Sequence, residues 1–143
     1  PIAACGDKRS LDIPPPLGIE ITAPAQVQGV RTGNGLACTV HITARVGGGL
    51  ASDFVRWDSG TVEWKYATAS SVISFGPISL DRAAMAQIFG GAQLQSGATQ
   101  VAQFSATSGS GSPPILTMTL NYDFKFTFSG GQLASSAGVV QCQ

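Results

Sequence analysis

The stretch "ILTMTLNYDFKFTFSGG", residues 115–131, decides the fold. From Leu116 onward the apolar residues Leu116, Met118, Leu120, Tyr122, Phe124, Phe126 and Phe128 alternate without a break with Thr117, Thr119, Asn121, Asp123, Lys125 and Thr127. A helix would scatter that set around its circumference, whereas a strand places all of it on one face. At about 3.3 Å per residue the run is longer than most strands, so it is either a long central strand or one that bends from one sheet to another. Ser129-Gly130-Gly131 turns the chain back, and Leu133 to Cys142 forms the closing strand of a hairpin.

The period of two recurs upstream. Leu36, Cys38, Val40, Ile42, Ala44 and Val46 share one parity and Ala37, Thr39, His41, Thr43 and Arg45 the other, which makes a half-buried strand with Cys38 on its core face. Leu17, Ile19 and Ile21 give a first strand that Pro24 ends, and Asn34-Gly35 marks a turn before the second. "FVRWDSGTVEWKYA" reads as two short strands hinged at Asp58-Ser59-Gly60, with Val55 and Trp57 alternating on one side and Val62, Trp64 and Tyr66 on the other. Ser71 to Phe75 and Thr99 to Ala106 add two more. Between them Asp81 can cap a two-turn helix over Ala83 to Phe89, which Gly90-Gly91 stops. Seven or eight short strands with one connecting helix add up to an all-β chain, an antiparallel β-sandwich.

A chain of 143 residues fits one domain, able to bury roughly 68% of its unfolded surface. Charged residues are only 11% of it, against about 25% in an average globular protein. Eight basic and eight acidic side chains leave no electrostatic footprint for nucleic acid or anionic lipid. A charge-poor surface lacks the self-repulsion that keeps proteins apart, which suits a domain packed against a protein partner. No apolar run approaches the roughly 18 residues of a membrane-spanning helix, so the visible chain holds no transmembrane helix.

At the N-terminus, Ile2-Ala3-Ala4-Cys5 followed by Gly6 and Asp7 resembles the lipobox of bacterial lipoproteins. The resemblance implies lipidation at Cys5 and an extracytoplasmic, membrane-anchored protein, in the periplasm or at the cell surface. Residues 1–16 would then be a tether stiffened by Pro14, Pro15 and Pro16, and 17–143 the sandwich domain. Over 17–143 the strand pattern resembles the immunoglobulin-like domains of bacterial exported and surface proteins. Their signature of an early core-facing cysteine, a tryptophan and a late cysteine falls on Cys38, Trp57 or Trp64, and Cys142, although Cys142 lies in the last strand rather than the one before it. Three cysteines leave two arrangements open. Either Cys38 pairs with Cys142 while Cys5 carries lipid, or Cys5 pairs with one of them, leaving a buried thiol and no lipid.

Chemistry-bearing groupings are sparse. The acids Asp7, Asp12, Glu20, Asp53, Asp58, Glu63, Asp81 and Asp123 are scattered, the lone His41 faces outward, and "GNGLAC" lacks the third glycine of a dinucleotide loop. Asp53 and Asp58 flank the presumed hairpin at a spacing that gives calcium only weak support. The expectation is a non-enzyme with no metal and no cofactor: a structural or interaction subunit of the bacterial cell envelope, packed against a larger membrane complex or surface assembly. The alternative is a carbohydrate- or ligand-recognition module that uses Trp57, Trp64, Tyr66 or the loops.

Overall fold

The computed structural model describes residues 15–109 and 113–143. Cys5 and most of the Pro-rich tether lie outside the described residues. Among the described residues ten strands and one helix follow in the order β1 (Gly18–Thr22), β2 (Gln26–Val27), β3 (Val30–Thr32), β4 (Gly35–Gly47), β5 (Phe54–Ala67), β6 (Val72–Leu80), α1 (Arg82–Phe89), β7 (Gln93–Gln95), β8 (Thr99–Thr107), β9 (Thr117–Phe128) and β10 (Leu133–Cys142). They make a two-sheet β-sandwich.

In the narrower sheet β4 carries β8 along one edge and β1 and β3 along the other, all antiparallel. The wider sheet runs β2-β10-β9-β5-β6, with β7 on the stretch of β5 that β6 leaves free. Within it β2 lies parallel to β10 and the other pairings are antiparallel. The alternation of β4 and β9 sets the two inner faces. Leu36 to Val46 on one and Met118 to Phe126 on the other bury every second side chain, as a half-buried strand requires. The turn between β3 and β4 comprises Gly33 and Asn34, one residue earlier than Asn34-Gly35, because Thr32 pairs with Gly35.

The segment Phe54–Ala67 is one strand, not two strands hinged at Asp58-Ser59-Gly60. Trp57 opposes Phe126 on β9 and Ser59 opposes Lys125, which leaves Asp58 as an extra, bulged residue. One inserted residue flips the parity of a strand. Val55 and Trp57 therefore face the same core as Gly60, Val62 and Trp64 instead of the opposite side. The bulge is tied down because the Asp58 carboxylate accepts hydrogen bonds from the Thr127 hydroxyl and the Arg56 guanidinium and pairs with Arg82.

The helix plugs one side of the sandwich. Asp81 accepts a hydrogen bond from the Ala84 N–H at 2.8 Å, and Gly90 ends the helix in the left-handed conformation. Met85 and Phe89 point inward. Phe89 stacks on Trp57 at 4.2 Å between ring centroids and meets Phe124 edge-on at 5.4 Å. Gly60 makes this approach possible, since a Cβ there would stand 2.8 Å from the Met85 sulfur and 2.9 Å from the Phe124 ring.

Cys38 on β4 and Cys142 on β10 form a disulfide that joins the two sheets, with Cα atoms 6.2 Å apart. Gly29 lets the chain between β2 and β3 pass over the bond, because a Cβ there would lie 2.8 Å from the Cys142 sulfur and 2.6 Å from Leu36. The Gly29 N–H and the Gln143 carbonyl then close a 3.0 Å bond that seals the corner. A disulfide such as Cys38–Cys142 is typical of oxidising, extracytoplasmic compartments. With a sequence separation of 104 between the two cysteines, chain entropy assigns the cross-link about 4–5 kcal/mol. The Cys38→Ala/Cys142→Ala variant is expected to lose stability of that order in guanidinium unfolding, while an unchanged midpoint would contradict the estimate.

Candidate functional site

The two sheets differ in width, and the difference leaves a surface uncovered. β8, the last strand of the narrow sheet, lies over β9 and β5: Phe104 stacks on Phe124 at 6.0 Å, and Gln100 accepts a 2.9 Å hydrogen bond from the Trp57 indole N–H. Among the described residues no strand of the narrow sheet lies beyond β8 to cover β6. The nine residues of β6 are exposed except Leu80, which is half-buried. Register places Ile73, Phe75 and Ile78 opposite Tyr66, Trp64 and Val62, hence on the inner side of the sheet where a core would be.

They nevertheless remain 45%, 51% and 52% exposed, and Val72 on the outer side is 66% exposed. Other exposed apolar side chains such as Leu50 and Val30 are isolated in sequence, which is ordinary for a soluble surface. Three on the inner face of one edge strand, Ile73, Phe75 and Ile78, form a patch of the sort that marks an interaction site.

The strand also carries a local device. Val62 pairs with Ile78 and Trp64 with Phe75, so Glu63 faces both Gly76 and Pro77. This second bulge restores the inward direction to Ile78, and Pro77 removes one N–H from the strand. A groove of about 280 Å³ adjoins the shelf, lined by Tyr66, Thr68, Ile73, Phe75, Ser108 and Ile115 among others. Tyr66 tilts against Phe75 at 4.8 Å, and burial raises the pKa of its hydroxyl.

The aromatic platform expected from Trp57, Trp64 and Tyr66 does not form. Trp57 is fully buried and Trp64 is 7% exposed, because the Asp58 bulge turns both into the core. Only Tyr66 reaches the surface in part. Its aromatic neighbour there is Phe75, whose alternation with Ile73 read as that of an ordinary strand.

Asp53 and Asp58 do not converge on a cation site. The Asp53 carboxylate accepts 2.8 Å bonds from the Leu50 N–H and the Ser129 hydroxyl, which hold its pKa below the ordinary 3.8. Asp58 is engaged by Thr127, Arg56 and Arg82. It also borders a separate groove of about 340 Å³ with Ser59, Lys125, Leu133 and Ser135. That groove is larger than the one beside β6, but its acid already has partners and it gathers no reactive set. His41 is exposed on the outer side of the narrow sheet across from Gln103. Among the described residues no three His, Cys, Asp or Glu side chains gather as a metal site, and no helix is long and apolar enough to cross a membrane.

No family model and no curated protein matches the chain. Among solved structures it is similar to the sporulation control protein Spo0M of Bacillus subtilis, with 12% identity and a TM-score of 0.43, over 89% of this chain and 49% of that one. The chain thus spans about half the length of Spo0M. It is also similar to murine CRIg, with 9% identity and a TM-score of 0.44, over 88% of this chain and 97% of that one. Likeness at this level carries no functional argument, and the fold rests on the chain's own strand pairing.

Burial separates the aromatic residues energetically. Trp57→Ala is expected to cost about 3–5 kcal/mol in chemical denaturation, and Phe75→Ala to stay within about 0.5 kcal/mol of the parent. A Phe75→Ala variant as unstable as Trp57→Ala would place Phe75 in the core and remove the shelf.

Proposed function

We propose that this chain is a non-catalytic interaction domain of an extracytoplasmic compartment, and that it binds a protein partner across the apolar shelf of β6. The observation that carries the reading is the exposure of Ile73, Phe75 and Ile78 on the inner face of a sheet whose facing sheet stops short. Burying such side chains stabilises an association by roughly 25 cal/mol per Å² of apolar surface, before the costs of ordering are subtracted. The segment from Val72 to Leu80 contains no charged residue, so no ion has to be desolvated when the shelf is covered.

A cell-envelope setting is supported by the disulfide and by the lipobox-like Ile2-Ala3-Ala4-Cys5. In this reading Cys5 is the lipid anchor and the domain packs against a larger envelope assembly. The absence of an enzymatic role is part of the same reading, supported by the separate engagement of Asp53 and Asp58 and the isolated position of His41.

Photo-cross-linking in the native host tests it. With p-benzoylphenylalanine in place of Phe75 a discrete cross-linked protein is expected, and with the same probe in place of His41 on the opposite sheet it is not. Equal labelling from both positions, or none from either, would overturn the reading.

A further inference from the structure

The shelf adjoins a second unfilled feature. β8 pairs with β4 along one edge, and among the described residues no strand pairs with its other edge. α1 and the turn after it occupy the first half of the space beside that edge, because the Gln100 amide donates to the carbonyls of Gly91 and Gln93, and Phe89 fills the interior below. The second half, alongside 103–107, has no such cover among the described residues. It lies across from Phe75 and Ile73, where the groove between Tyr66, Phe75 and Ser108 opens.

One missing strand accounts for both features. A segment hydrogen-bonded to β8 would extend the narrow sheet by one position, and every second side chain would point down at the shelf.

We infer that the occupant is an extended, uncharged segment of another polypeptide, with apolar residues at alternate positions, which adds to β8 beside α1 and covers Ile73 and Phe75. This inference rests on the partner-binding reading of the β6 shelf and specifies the form the partner takes. Three observations select a strand over a globular surface. The open space is bounded by α1 at one end, so it admits a short extended segment. Among the described residues the free edge of β8 leaves a row of backbone donors and acceptors without a strand partner, the condition for strand addition. Neither 103–107 nor Val72–Leu80 carries a charge, so recognition comes from the ladder and from apolar side chains rather than from ion pairs. Pairing with the outer edge of β6 is the less suitable geometry, since Pro77 interrupts its donors and the inner-side residues would stay uncovered.

Two synthetic peptides of one composition test the inference on the whole chain with its disulfide intact. One alternates threonine with isoleucine, phenylalanine and valine; the other holds the three apolar residues together. Fluorescence anisotropy should show saturable binding of the alternating peptide, weakened at least about tenfold in the contiguous isomer and in Phe75→Ser, a change of about 1.4 kcal/mol or more. Ile73→Ser serves as a second variant, and both are compared after their unfolding midpoints are matched to the parent. In NMR spectra the amides of 103–107 should shift and become protected in the complex.

Equal binding of the two peptides, no binding of either, or protection confined to β6 would overturn the strand inference. If the cross-link from position 75 persists in any of those cases, the partner-binding reading survives and only the strand form fails. Loss of both results removes the reading itself. Concentration-dependent dimers that Phe75→Ser disperses and the alternating peptide leaves intact would instead make a second copy of the chain the occupant, and the inference would be wrong.

Discussion

A single bulged residue, Asp58, holds the interior together. Without it Trp57 and Trp64 would lie on opposite faces of β5, since their separation of seven residues is odd. With it both face the core, and the largest side chain of the protein stands where Phe89, Phe124 and Phe126 surround it. The position of α1 follows from that arrangement, because Phe89 packs on Trp57 and Met85 sits over Gly60 just past the bulge. β8 follows in turn, since the Gln100 side chain joins the Trp57 indole to the turn after the helix. The disulfide fixes the other side of the sandwich, where Cys38 and Met118 lie with sulfurs 3.6 Å apart.

The interior is closed at one side by the disulfide and at the other by α1, and β6 is left outside the core. Natural sheets protect such edges with charge, proline or bulges. β6 has the proline and a bulge but no charge, and it keeps three large apolar side chains on its inner face. A strand interrupted against edge-to-edge pairing while its face stays apolar is suited to being covered from above rather than extended sideways. The low overall charge agrees with a domain that works in contact with other protein.

The strands were legible where burial follows a strict alternation. β4 and β9 have that property; the capped helix and the final hairpin were legible instead from local signals, Asp81, Gly90 and Gly130-Gly131, which are read without knowing any partner. The bulge was not legible, because Asp58-Ser59-Gly60 has the composition of a turn and only the opposing strand shows that one residue is extra. The continuation of β6 through Gly76-Pro77 was hidden for the same reason. The candidate site was missed as a site. Ile73 and Phe75 look like core residues in sequence, and their exposure depends on the width of the opposite sheet, a property set by pairings as distant as Cys38 with Ala106. The cysteine spacing likewise left two arrangements open that only the three-dimensional structure separates.

The core is complete without β6, and in the proposed reading β6 is covered only by a partner. Native-state hydrogen exchange on the free protein at low concentration tests this most directly. Amides of β9 and of the matching part of β5 should exchange only through global unfolding, and those of Val72 to Phe75 through local opening at a much lower free energy. Protection of Val72 to Phe75 up to the global limit in the free monomer would contradict the claim.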